Sequence, residues 1–262
     1  MHLKYRIHKN IIDVDENGIP IRKYSNQDPP GDRDCYEKLQ INNVYTGYKD
    51  VIWTPIDLPI LDIDLDIVNN LWKHTDFLKI NPQCSYGCRY GAGLVLFLVE
   101  NGFTQPTQSS PWFDWVEKYI PHVKEFILKL PFKSIRQCSF VQPPSSTLPH
   151  YDEPINMVPY LQDGAPCQYR IRWSKVTNPE NEVFFMTKDS GKTKVYPVLP
   201  TTTNTFVYDG SVWEHGADKG FDSDDRMQLI ISGIVDKEKH HRLLDKSIEK
   251  YKDWVIYDAE FN

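Results

Sequence analysis

No stretch of this 262-residue chain stays apolar for the roughly 20 residues that a membrane span needs. The opening Met1-His2-Leu3-Lys4-Tyr5 lacks the apolar core of a secretory signal, so the expected location is cytoplasmic, with no membrane partner. Excess basic charge is lacking too. Lys and Arg number 30 against 36 Asp and Glu, a formal net charge of −6. Nonspecific nucleic-acid binding rests on a basic footprint, so no nucleic-acid partner is expected. Cysteine is scarce, with only Cys35, Cys84, Cys88, Cys138 and Cys167. An odd count without a signal points to reduced thiols rather than a disulfide framework. Cys84 and Cys88 could be half of a zinc site, but no second pair lies near, and buried thiols are the simpler reading. Internal repeats and low-complexity segments are absent.

What is present is an ordinary globular composition, 40% hydrophobic and 25% charged, in a chain long enough to bury a sizeable core. Aromatic residues reach 13%, including 15 Tyr and 7 Trp, which suits an all-β or mixed fold better than a coiled coil. Ile11 to Val14 and Ile19 to Ile21 flank Asn17-Gly18, the dipeptide that favours a tight hairpin turn. The same residues imitate a calcium loop, but Tyr24 stands where its closing Glu belongs. Residues 25 to 36 read as a polar loop. After Asp62, Asp64 and Asp66, the apolar residues Ile67, Val68, Leu71 and Trp72 share one helical face. Residues 91 to 99 read as a buried strand. Ser110-Pro111 has the chemistry of a helix start, and Pro121 should split the amphipathic run that follows. The aromatic stripe of that run is read as core packing against a sheet.

Beyond Pro131 the pattern changes to strands and loops. Strands are expected near 134–142, 149–152, 167–174, 182–187, 193–199, 204–208, 212–216 and 226–234. Eight short strands suit a double-stranded β-helix, a cupin-like jelly roll enclosing a pocket, so the expected class is mainly β with flanking helices. After Asp236 the chain turns charged and helical, with Leu243, Leu244, Ile248 and Tyr251 as its apolar face. His240 and His241 are read there as solvated. The expected organisation is an N-terminal α/β extension over 1–110, a core over 111–236 and a helical segment over 237–262.

The chemistry centres on Pro149-His150-Tyr151-Asp152. Side chains two apart on a strand share a face, so His150 and Asp152 would point into one pocket. With a distant His they would make the 2-His-1-carboxylate set that binds Fe(II) and leaves positions open for O2. His215, in Trp213-Glu214-His215-Gly216, is the best third ligand. Arg226 follows it and opens the apolar run Met227-Gln228-Leu229-Ile230-Ile231. Arg can pair both oxygens of a carboxylate while staying charged. At the head of such a strand it implies an anionic partner, here a dicarboxylate, or a place at the rim.

Residues 134 to 236 resemble the aspartyl/asparaginyl β-hydroxylase family of Fe(II)/2-oxoglutarate dioxygenases. The likeness lies in Cys138-Ser139-Phe140-Val141-Gln142-Pro143-Pro144, which leads to Pro149-His150. It lies also in Cys167-Gln168-Tyr169-Arg170-Ile171-Arg172, and in Tyr208-Asp209-Gly210 through Trp213-Glu214-His215 with Arg226 beyond. The resemblance implies that Ser139, Arg170, Arg172 and Arg226 hold 2-oxoglutarate. Arg172 stands where the family has His. It implies that His150, Asp152 and His215 hold iron, and that residues 153 to 166 are a longer insert carrying Tyr160 and Asp163. The implied reaction couples oxidation of 2-oxoglutarate to succinate and CO2 with hydroxylation of an amino acid, or of an Asp, Asn or Pro residue of a peptide or protein. The alternative is a jelly-roll metal-binding module without redox turnover. A nucleic-acid dealkylase fits less well, because Gln228 and Ile230 stand where a second Arg is expected.

Overall fold

A computed structural model describes residues 5–11, 15–17, 50–73, 93–96, 107, 110, 112–141, 147–150, 165–174, 184–189, 191–208, 210, 213–218 and 226–260. These residues form a mainly β structure of two antiparallel sheets with helices on one side. In chain order the strands are β1 (Tyr5–Ile11), β2 (Val51–Pro55), β3 (Gly93–Val95), β4 (Phe132–Val141), β5 (Thr147–His150), β6 (Ala165–Ser174), β7 (Phe184–Lys188), β8 (Thr193–Pro197), β9 (Thr205–Tyr208), β10 (His215–Ala217), β11 (Arg226–Val235) and β12 (Ile256–Tyr257). The helices are α1 (Leu65–Lys73), α2 (Asp114–Tyr119), α3 (Pro121–Lys129) and α4 (Lys237–Lys250). One sheet has the order β1-β8-β7-β10-β5, the other β12-β2-β9-β6-β11-β4-β3.

Period-2 alternation decides what each face meets. On the seven-stranded sheet, Cys138, Phe140, Cys167, Tyr169, Ile171, Trp173, Val207, Met227, Leu229 and Ile231 form one apolar face. It packs under Leu65, Val68 and Leu71 of α1, Trp115, Val116, Val123 and Ile127 of α2 and α3, and Leu244 of α4. The other face meets the second sheet. There Trp53, Phe206, Tyr208 and Ile256 close a smaller core against Phe184, Met186 and Val195.

Local chemistry sets the helix ends. Asp64 Oδ1 accepts from the amides of Asp66 and Ile67, which starts α1. α2 and α3 are divided at Ile120, with Pro121 in the first turn of α3, where a missing amide proton costs nothing. The helical run begins at Asp114, not at Ser110. The Ser110 hydroxyl accepts from the amide of Thr107 behind it, and Trp112 donates its indole proton to the Thr107 carbonyl. This closes a turn before the helix instead of capping it.

His240 also departs from expectation. It is fully buried under β6, taking the Tyr169 hydroxyl at Nδ1 (2.8 Å) and facing Cys167 Sγ at Nε2 (3.7 Å). Adjacent residues on a helix point about 100° apart, so His241 lies at the partly exposed flank while its neighbour enters the core. Cys138 and Cys167 are buried free thiols, and burial pushes the Cys138 thiol far above its ordinary value.

The sheets cross the boundaries expected at 110 and 236. β1 pairs with β8, β3 with β4, and β2 lies between β9 and β12. Asn17, in the turn proposed for the first hairpin, donates its amide to Asp15 Oδ1, while residues 18–49 lie outside the described ones. So do Cys35, Cys84 and Cys88. Among the described residues, no helix is long and apolar enough to cross a membrane.

Candidate metal and anion site

β10 is an inner strand of its sheet, held between β7 and β5. Its register sets His215 opposite His150 on one side and opposite Met186 on the other. The two imidazoles therefore meet, with ring centroids 4.4 Å apart. His215 is 1% exposed, while His150 is half-buried, so the pair runs from the interior toward the surface.

Each ring is oriented by a local bond. His150 Nδ1 lies 2.9 Å from the Leu148 carbonyl, and His215 Nδ1 lies 3.1 Å from the Trp213 carbonyl. A carbonyl oxygen can only accept, so both Nδ1 atoms carry the proton. In the neutral rings the Nε2 atoms then hold the lone pairs. This is the tautomer in which histidine binds metal through Nε2, with the second nitrogen fixed by backbone. The donor set thus fits a borderline divalent metal such as Fe(II).

His215 also meets two aromatic rings, Tyr208 from the opposite sheet and Phe184 from the neighbouring strand β7. Tyr208 meets His215 edge-on at 4.8 Å between centroids, and Phe184 lies 6.0 Å from it. Arg170, from β6, places its guanidinium 4.8 Å from the Tyr208 ring centroid and 5.8 Å from that of Phe184. Arg170 and His215 thus share two aromatic neighbours.

Ser139 is buried on β4, where its hydroxyl accepts from Gln137 Nε2 at 3.1 Å. Ile230 separates Ser139 from Arg170 in the ladder β4-β11-β6, so the two lie in one row. Arg172 is one row further along, paired with Gln228, and its amide donates to the Asn204 carbonyl at 2.9 Å. Arg226 opens β11 opposite Ser174. Asp152, Tyr160 and Asp163 lie outside the described residues. Among the described residues no three His, Cys, Asp or Glu side chains gather as a metal set. Glu214, beside His215, is buried with its carboxylate taking the Thr187 hydroxyl at 2.7 Å.

Residues with no role read from sequence also enter the site. Tyr208 and Phe184 lie against His215. Gln168 receives Arg170 Nε on its side-chain oxygen at 2.8 Å. Parity along β6 was the available signal, since 168, 170 and 172 share one face. Compared with known proteins, the chain matches no family model and no curated protein.

Proposed function

We propose that this protein is an Fe(II)- and 2-oxoglutarate-dependent dioxygenase that hydroxylates an amino acid, or an Asp, Asn or Pro residue of a peptide or protein. The observation that carries the reading is the pairing of His150 with His215 across two strands, both rings tied through Nδ1 to backbone carbonyls. We take the two packed sheets as a double-stranded β-helix with its metal between them.

In this reading His150, His215 and Asp152 hold the iron, which when bound supplies the O2 chemistry that joins decarboxylation of 2-oxoglutarate to oxygen insertion into a C–H bond. The protein's part is orientation and exclusion. The carbonyls of Leu148 and Trp213 keep the Nδ1 protons, so the Nε2 atoms face the ligand. Phe184 and Tyr208 keep water from one side of His215. Arg170, Arg172, Arg226 and Ser139 take the oxygens of the co-substrate. Arg170 favours this reading over a metal module without turnover, because its positive charge lies against the rings that flank His215.

The test is a screen of amino acids and peptides with Fe(II) and 2-oxoglutarate, mixed without oxygen and then opened to air. Succinate formation is the readout. A module without turnover would bind Mn(II) yet yield no succinate with any candidate.

A further inference from the structure

The half of the seven-stranded sheet beside the imidazole pair is polar on its inner face. Gln137, Ser232 and Gln168 form one row across β4, β11 and β6. Ser232 is buried, and its hydroxyl takes the side-chain amide of Gln168 at 2.9 Å. Arg170 Nε can only donate, so the Gln168 atom 2.8 Å away is the carbonyl oxygen, and the amide group that remains is the donor to Ser232. Each contact fixes the next: Ser232 sets the rotamer of Gln168, and Gln168 sets the plane of the guanidinium lying over Tyr208.

A guanidinium offers several donors in a rigid fork, and locking Nε fixes where the fork points. We infer that Gln168, braced by Ser232, is a positioning residue that holds Arg170 in the orientation needed to take a carboxylate of the co-substrate beside His150 and His215. The inference rests on the proposed function for the identity of that ligand. A neutral acceptor suits the role better than a carboxylate would. It holds Arg170 through a dipole and adds no negative charge beside the place assigned to the anion.

The test uses the full chain with Mn(II), which fills the metal site without turnover, and 2-oxoglutarate as the probe. Binding is read by calorimetry, and the Arg170 Nε–H signal by nitrogen-15 NMR, assigned with Arg170→Lys. Gln168→Leu is expected to weaken 2-oxoglutarate binding by about tenfold, the scale of one hydrogen bond to a charged group. The Nε–H signal should weaken with it through faster exchange with water. Gln168→Glu, which keeps an acceptor, should preserve the signal. Mn(II) affinity should be unchanged in both, which a general loss of structure would not allow. Equal 2-oxoglutarate binding by wild type and Gln168→Leu, or an unaltered Nε–H signal, overturns the inference. Should Gln168→Leu fail to fold, Ser232→Ala decides, with a smaller loss in the same direction expected and no loss overturning it. If wild type with Mn(II) binds no 2-oxoglutarate at all, the functional reading falls together with the ligand assigned here. That outcome is distinct from binding that simply ignores position 168.

Discussion

His150 and His215 are Cα partners across the β5–β10 ladder, and their rings stand 4.4 Å apart. Neither sequence position alone distinguishes a ligand from a surface imidazole. The ladder joins them, and it predicts that either one is indispensable. His150→Ala or His215→Ala should lower succinate formation by at least about a hundredfold while circular dichroism stays that of wild type. Turnover retained in either variant rejects the ligand assignment.

Arg226 opens β11 at the end of the ladder that carries Arg172 and Gln228. As the proposed anchor of the co-substrate's far carboxylate, it should affect 2-oxoglutarate and not iron. Arg226→Ala is expected to raise the half-saturating 2-oxoglutarate concentration by about tenfold or more. The Fe(II) requirement should stay put. A parallel rise in both would show that the side chain supports the site in general and does not hold the co-substrate.

Gly233 lies where the β11–β4 register skips Arg136. A Cβ built there would come within 2.1 Å of the Ser134 carbonyl oxygen and 2.7 Å of Ile135 Cα. Both are backbone atoms in the centre of the larger sheet, so little can yield. Gly233→Ala should cost about 2–4 kcal/mol of unfolding free energy, read by urea denaturation. A cost below about 0.5 kcal/mol, in the range of neutral surface changes, would mean that the bulge relaxes freely.

His240 joins α4 to the sheet through the Tyr169 hydroxyl. Burial, and Cys167 beside it, push the Tyr169 phenol well above its ordinary value, so it remains protonated. Tyr169→Phe should cost about 1 kcal/mol and His240→Ala about 2–4 kcal/mol, because the second leaves a cavity as well as an unmet hydroxyl. If His240→Ala proves neutral in denaturation, α4 is docked by Leu244 and its apolar neighbours alone.

Asp236 begins α4. The Lys239 amide, first among its partners, holds this exposed carboxylate below its usual range. The folded-state value is depressed, so the contribution is present above the ordinary carboxylate range and disappears as pH falls through the lower folded value. Asp236→Asn retains a cap but cannot titrate. The variant should therefore lose less stability than wild type on acidification below about pH 4. Identical acid profiles for the two proteins would rule out this carboxylate as a contributor.

Strand positions were legible because the segments beyond Pro131 alternate every second residue between loop-forming stretches. The eight expected strands fall within a few residues of β4 to β11. Pro121 announced the break between α2 and α3 by its missing amide proton. Ser110 misled because a hydroxyl serves a backward turn as readily as a forward cap. His240 misled because a doublet of histidines in a charged helix gives no hint which one faces inward. That depends on Tyr169, 71 residues away in the chain. In the site, the meeting of His150 with His215 could be anticipated as chemistry but not as register. The wall from Tyr208 depends on which sheet faces which and that from Phe184 on strand order, which no local pattern carries, whereas parity along β6 put Gln168 on the face of Arg170 without showing their bond.

β1 lies beside β8, and β2 lies between β9 and β12. Both strands thus find their partners at least 150 residues later in the chain (Tyr5 with Pro197, Pro55 with Phe206). Contacts so distant in sequence raise the contact order and slow folding, since loop closure has to precede any gain from pairing. Until then β2, whose five residues are all buried in the finished protein, is an exposed apolar strand. Such a strand is a natural client for chaperones, and its removal by N-terminal truncation would leave β9 and β12 with a bare sheet edge.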